Sequence, residues 1–153
     1  MNELTFSLED AVKNRYSMRT FSDKPVDEAT RKNILEYAEK ISNPFGPKIR
    51  LKFIEKETGK NGEKLGTYGI IKNAKLFLGV AIKKSGDFCE ALGYEFEKLV
   101  LYMTSLGLGT CWIGGTFDKG AFAQVMQPAE DEIFTIISPV GYGTGKKRIF
   151  EKV

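Results

Sequence analysis

The chain has 153 residues, 42% of them hydrophobic and 28% charged, an ordinary composition for one domain around a single core. Its 23 basic and 20 acidic side chains leave +3, a balance too even to point to nucleic acid. It contains no histidine, which excludes a Ser-His-Asp triad, a Cys-His pair and any zinc site built on imidazole. Cys89 and Cys111 are too few for a disulfide framework or an iron–sulfur cluster. An enzyme of this composition draws its difficult chemistry from a bound organic cofactor. No apolar run is long enough to cross a bilayer, and Glu3, Glu9 and Asp10 make the N-terminus unlike a signal peptide, so a cytoplasmic protein is expected.

Ser7 is placed to cap a first helix that ends near Asn14, with Asp10 at the reach-back position and Leu8, Ala11 and Val12 on its apolar side. Ser22-Asp-Lys-Pro25 reads as a turn. Asp27 caps a second helix through Ile41, with Ala29, Ile34, Leu35, Ala38 and Ile41 as its buried face. Ser42-Asn-Pro-Phe-Gly-Pro47 breaks it. Ile49 to Glu55 alternates as a half-buried strand does, and Lys56 to Lys64 is a polar loop. A short helix is expected over Leu65 to Ala74. Leu76 to Ile82 is a continuous apolar run, the pattern of a strand buried on both faces.

The longest element predicted is a helix from Asp87 to Leu106, capped by Asp87 and stopped by Gly107. Phe88, Leu92, Phe96, Leu99, Met103 and Leu106 recur every three or four residues. Val100 and Tyr102 widen that stripe, so the helix is expected to be covered on more than one side. A short strand is predicted at Cys111 to Ile113, a small helix from Asp118 to Met126, and a last strand from Glu132 to Val140. Helices and strands mix irregularly, which predicts one α+β layer structure with a sheet of four or five strands.

Three stretches suit a flat, phosphorylated ligand. Arg15-x-Ser17-x-Arg19 sets two guanidinium groups and a hydroxyl at alternate positions, on one side of an extended chain; the same residues also read as a solvated basic turn. Thr110-Cys-Trp-Ile-Gly-Gly115 lets a planar ring approach bare backbone, with Trp112 and Ile113 available to pack on it; the glycine pair also reads as a plain turn. Lys146-Lys147-Arg148 supplies cations after a strand end, or a solvated cluster. The preceding Gly141-x-Gly-x-Gly-Lys146 lacks the spacing and the following Ser or Thr of a phosphate-binding loop. Cys111 and Cys89 read as packed core thiols, and Glu95 and Glu97 as solvent-facing.

Taken in order, Arg15-Tyr-Ser-Met-Arg-Thr-Phe21 with Asp23-Lys-Pro-Val26, Leu99 through Gly115, and Ile137 to Tyr142 with Lys146 and Arg148 resemble the nitroreductase family of flavin enzymes. Gly-Thr-Tyr-Gly-Ile-Ile at 66–71 is similar to a less-studied branch of that family. The resemblance implies a nitroreductase-like fold, a mixed and mostly antiparallel sheet flanked by helices, with the long central helix at the interface of a homodimer. It implies that Arg15, Ser17 and Arg19 hold the phosphate and ribityl chain of FMN, with Tyr16 beside them through its backbone. Trp112, Ile113, Gly114 and Gly115 would lie by the ring, and Lys146 and Arg148 would close on the phosphate. Asn43, Pro44 and Phe45 would approach from the partner. The implied reaction passes a hydride from NAD(P)H through FMN to a small flat acceptor such as a nitroaromatic or quinone. A flavin-binding protein without turnover, or a half-unit that needs a second chain, are the alternatives. The family's Asn-x-Gln-Pro-Trp loop is here Asn43-Pro-Phe-Gly-Pro47, and Gly114 stands where better-known members carry a glutamate.

Overall fold

A computed structural model of the chain describes residues 6–59, 67 and 69–145. In chain order its elements are α1 (Leu8–Asn14), α2 (Glu28–Lys40), β1 (Arg50–Glu55), β2 (Leu76–Lys83), α3 (Phe88–Ser105), β3 (Gly109–Thr110), α4 (Lys119–Met126) and β4 (Glu132–Gly141). Three helices start where a short polar side chain takes up a free amide: Ser7 accepts from the Asp10 N–H at 3.2 Å, Asp27 from Thr30 at 2.7 Å and Asp118 from Ala121 at 3.2 Å. The expected cap at α3 does not form. Asp87 has ψ 61°, outside the extended range a capping side chain needs, and makes no side-chain cap bond. The other end of α3 is closed as expected. Gly107 takes φ +82°, its N–H reaches Thr104 O at 3.0 Å, and the Leu108 N–H reaches Met103 O at 3.0 Å, a complete Schellman pair.

Among the described residues the strands form one sheet in the order β1-β2-β4-β3, every named pair antiparallel. β2 lies inside the sheet, and its residues sort by the two-residue period of a strand. Leu76, Leu78, Val80 and Ile82 enter the core built with Ile34 and Ala38 of α2 and with Phe96, Leu99 and Met103 of α3. Phe77 and Ala81 enter a second core with Phe122 and Met126 of α4 and with Met18, Phe21 and Ile137. Between them Gly79 leaves room for Met126, whose Sδ stands 2.6 Å from where a Cβ would be. Both faces of the sheet are therefore covered, as the unbroken apolar run of β2 requires.

Several expectations are corrected. On α1 Ala11 is buried while Leu8 and Val12 are exposed, and on α2 Ala29 and Leu35 face outward. Residues 69–74 are not helical: Lys72 bridges Thr20 in parallel, Ala74 N–H donates to Thr58 Oγ1 at 2.9 Å, and Asn73 takes φ 59°, which no helix allows. Residues 65, 66 and 68 of that expected helix lie outside the described residues. Cys111 is buried as predicted, but Cys89 is exposed on the first turn of α3. Glu95 is 1% exposed: it accepts from the Ile49 N–H at 2.7 Å and from Lys48 Nζ at 3.5 Å, tying α3 to the start of β1.

One ion pair spans three strands. Arg50 of β1 donates through Nε and Nη2 to the two oxygens of Glu132 on β4, both at 2.9 Å, and through Nη2 to Met126 O at 3.0 Å. The Arg50 guanidinium, together with the Ala129 N–H, holds the Glu132 carboxyl below its ordinary range. A carboxyl whose pKa is lower folded than unfolded stabilises above the unfolded value of about 4.3 and loses that contribution as pH falls through the folded value. Glu132→Gln is therefore expected to lower stability by about 1 kcal/mol at pH 7, the modest figure reflecting solvent around Arg50. In urea titrations the gap from the parent should close as pH drops below about 4; a gap that stays constant with pH would remove the ion pair as its cause.

Candidate functional site

Two of the stretches that the sequence singles out, Arg15–Arg19 and Thr110–Gly115, meet at the free side of β3. Segment 15–21 runs as an extended strap along it: Ser17 bridges Thr110 in parallel, and the Met18 N–H donates to Thr110 O at 2.8 Å. Alternate side chains take opposite sides, as on any extended chain. Met18 is buried and Tyr16 packs against the same core, so Arg15, Ser17 and Arg19 face the other way, half-exposed. Arg19 Nη1 donates to Ser17 O at 3.3 Å, and the Arg19 carbonyl accepts from the Lys72 N–H at 2.8 Å.

The strap lies close because the strands beneath it lack side chains. A Cβ on Gly109 would overlap Met18, standing 2.9 Å from its Cβ; one on Gly143 would stand 2.8 Å from Met18 Cε, and one on Gly141 2.9 Å from Phe21 Cδ1. Beyond Phe21 the Ser22 N–H donates to Tyr142 O at 2.8 Å. The end of β4 is thereby fastened to the strap just before Lys146 and Arg148, which lie outside the described residues.

The Trp112 turn departs from the strand expected at Cys111 to Ile113. β3 itself is Gly109–Thr110, and Ile113 rejoins β4 by a two-way bridge to Ile137, its N–H donating at 2.9 Å and its carbonyl accepting at 3.0 Å. The pairings Gly109↔Gly141, Thr110↔Val140 and Ile113↔Ile137 keep one register, which sets Cys111 across from Pro139. Proline has no N–H to offer, so the ladder lapses there, and the Cys111 N–H donates instead to Ser138 Oγ at 3.0 Å. Cys111 and Ile113 point into the second core, while Trp112 between them turns to the α3 side. Ile113 thus supports the turn from below and offers no side chain to a ring above it. Gly114 and Gly115 are exposed, and a Cβ on Gly115 would meet nothing within 4 Å.

Glu97, read from the sequence as solvent-facing, joins the two stretches. Its Oε2 accepts from Trp112 Nε1 at 3.0 Å, and its Oε1 stands 3.8 Å from Arg15 Nε. The Trp112 ring meets fully buried Phe96 edge to face, at 4.8 Å and 72°. The signal in the sequence was indirect: a half-buried indole N–H needs an acceptor, and a carboxylate on a largely apolar helix is one.

Asn43, Pro44 and Phe45 sit at the other end of α3. Asn43 Oδ1 accepts from the Phe45 and Gly46 N–H groups at 2.8 and 3.0 Å, and its Nδ2 donates to Pro47 O at 3.0 Å. Phe45 packs edge-on to Tyr94 and accepts the Asp87 N–H through its carbonyl. Within one chain these residues do not join the strap and the Trp112 turn. Among the described residues no cluster suits a metal ion, and no helix is long and apolar enough to cross a membrane.

The donor set fits a flat cofactor with an anionic tail: two guanidinium groups and a hydroxyl on one side of the strap, then an indole and two bare glycines beyond it. A family profile described as "Putative TM nitroreductase" matches residues 7–152. No curated protein matches the chain. Among solved structures, a nitroreductase family protein from Clostridium novyi NT is 15% identical with a TM-score of 0.71, over 94% of this chain and 90% of its own. An FMN-dependent nitroreductase from Clostridium difficile R20291 is 19% identical with a TM-score of 0.69, over 90% and 88%. A variant of the FMN- and NADPH-dependent nitroreductase NfnB from Sphigopyxis sp. strain HMH is 15% identical with a TM-score of 0.69, over 92% and 90%. These likenesses establish the fold, α+β and nitroreductase-like.

The glycine seat yields a direct test. Gly109→Ala is expected to displace Met18 and cost about 1–3 kcal/mol of stability, the range for overpacking. An unchanged urea midpoint would show that Met18 does not depend on that space.

Proposed function

The chain belongs to the TM nitroreductase family, and we propose that it is an FMN-dependent oxidoreductase that passes a hydride from NAD(P)H to a flat acceptor such as a nitroaromatic or a quinone. The observation that carries this reading is the parallel seating of Ser17 on Thr110, which brings the guanidinium run beside the Trp112 turn. When bound, FMN supplies the redox chemistry, accepting and releasing a hydride. The chain's own residues bind and orient. Arg15 and Arg19 hold the phosphate by charge-assisted hydrogen bonds, and the Ser17 hydroxyl takes the adjoining polar chain. Tyr16 and Met18, turned into the core, keep that run straight. Trp112 flanks the ring, and Gly114 and Gly115 let it reach the backbone, with Ile113 fixed beneath them by Ile137. Lys146 and Arg148, outside the described residues, are assigned to the same phosphate on the family resemblance alone.

The same reading assigns Asn43, Pro44 and Phe45 to the cofactor bound by a second copy of the chain. Leu8 and Val12 on α1, Tyr94 on α3 and Leu106 at its C-cap are exposed apolar residues, and a Cβ on Gly93 in α3 would meet nothing within 4 Å. A mid-helix glycine costs about 1 kcal/mol relative to alanine, and the close approach of a second helix offsets it. Pairing through α1 and α3 would cover these positions.

Size-exclusion chromatography with absorbance detection tests both parts together. The protein should elute as two chains, carry flavin absorbance and bleach when NAD(P)H is added without oxygen. Protein that is colourless and takes up no added FMN would sink the reading. Within the site, Arg19→Ala should weaken FMN binding by about 1.5–3 kcal/mol, the range for a hydrogen bond to a charged group. Unaltered affinity in a fluorescence titration would take Arg19 out of the phosphate site.

A further inference from the structure

Glu97 is the one described side chain seen to touch both halves of the proposed site. It stands on α3, which is held at mid-length by the buried Glu95 bond to the Ile49 N–H and at its end by the Gly107 turn. Its Oε2 accepts the Trp112 indole N–H at 3.0 Å, while Phe96, one residue earlier, meets the edge of the same ring at 4.8 Å. One contact fixes the ring's polar corner and the other its apolar edge, so the plane of the indole is set from α3. The second oxygen lies 3.8 Å from Arg15 Nε, too far for a hydrogen bond and near enough for attraction. Among the described residues Glu97 is the carboxylate that reaches both Trp112 and Arg15, so the constraint on both converges on one residue.

We propose that Glu97 is a positioning residue for the bound cofactor: its hydrogen bond sets the plane in which Trp112 meets the ring. This rests on the flavin reading above, and it adds a residue with no direct contact to the cofactor. The decisive feature is the bond to the indole, with the pull on Arg15 secondary. Glutamine keeps an oxygen that can accept from the indole and loses the charge; alanine loses both. The two variants therefore separate orientation from electrostatics.

Trp112 is the sole tryptophan, so its fluorescence reports on the proposal without any cofactor. In flavin-free protein Glu97→Ala should shift the emission to the red and raise the acrylamide quenching constant about two- to threefold, as expected when a half-buried indole loses its one polar partner. Glu97→Gln should match the parent in both. With FMN added, Glu97→Ala should bind about tenfold more weakly, the scale of one hydrogen bond in the site. Against a Trp112→Phe background the same change should cost less than about twofold, because the coupling partner is gone. Parent-like emission and quenching in Glu97→Ala would overturn the proposal, as would a Glu97→Gln variant that behaves like alanine. A parent protein that takes up no FMN would sink the flavin reading instead. The flavin-free fluorescence of the variants would then still decide whether Glu97 sets the indole.

Discussion

The arrangement depends on one steric constraint: Met18 fills the space above Gly109 and Gly143. With that thioether in place the strap lies against β3, Ser17 pairs with Thr110, and the alternate residues Arg15, Ser17 and Arg19 are all presented outward. With any side chain at Gly109 the strap would have to lift by more than a few tenths of an ångström, because interiors packed at crystal density do not yield further without cost. The position of the cations is therefore decided by what lies on the opposite side of the backbone from them. Phe21 over Gly141 repeats the device at the far end of the strap, and the Ser22 bond to Tyr142 O closes it.

The second organising element is α3. Its neighbouring acids divide their work, because residues 95 and 97 lie on different faces of a helix. Glu95 faces inward and takes the first N–H of the chain entering β1, while Glu97 faces the Trp112 turn. The helix thus spaces two loops that are far apart in the sequence. The turn itself is stapled to β4 on both sides of a gap, by Thr110 before it and Ile113 after it, with Pro139 as the reason for the gap. A turn held at both ends keeps its exposed glycines in place without covering them.

What could be read from the sequence was what local chemistry decides. Ser7, Asp27 and Asp118 cap helices because the group that they bind is three residues away, and Gly107 ends α3 because only its own φ is at stake. β2 declared itself by an unbroken apolar run, and the alternation in Arg15–Arg19 was correctly read as one-sided. Several of the misreadings involve distant partners. Glu95 and Glu97 look solvent-facing until Ile49 and Trp112 are brought to them by the fold. The short helix expected over Leu65 to Ala74 fails at 69–74 because of the bridge from Lys72 to Thr20, 52 residues away, and the left-handed Asn73. The β3 boundary was misplaced because the interruption comes from Pro139 on another strand.

The thioether at Met18 also gives the fold a chemical weak point. Conversion of that sulfur to its sulfoxide adds an oxygen and a strong dipole to a side chain enclosed by two glycines and a hydrophobic core. Met18 is 7% exposed and packed over Gly109 and Gly143, so the larger, polar side chain would press on the backbone that carries the basic run. Oxidative ageing of a single buried atom would in that way loosen the strap from the edge of the sheet.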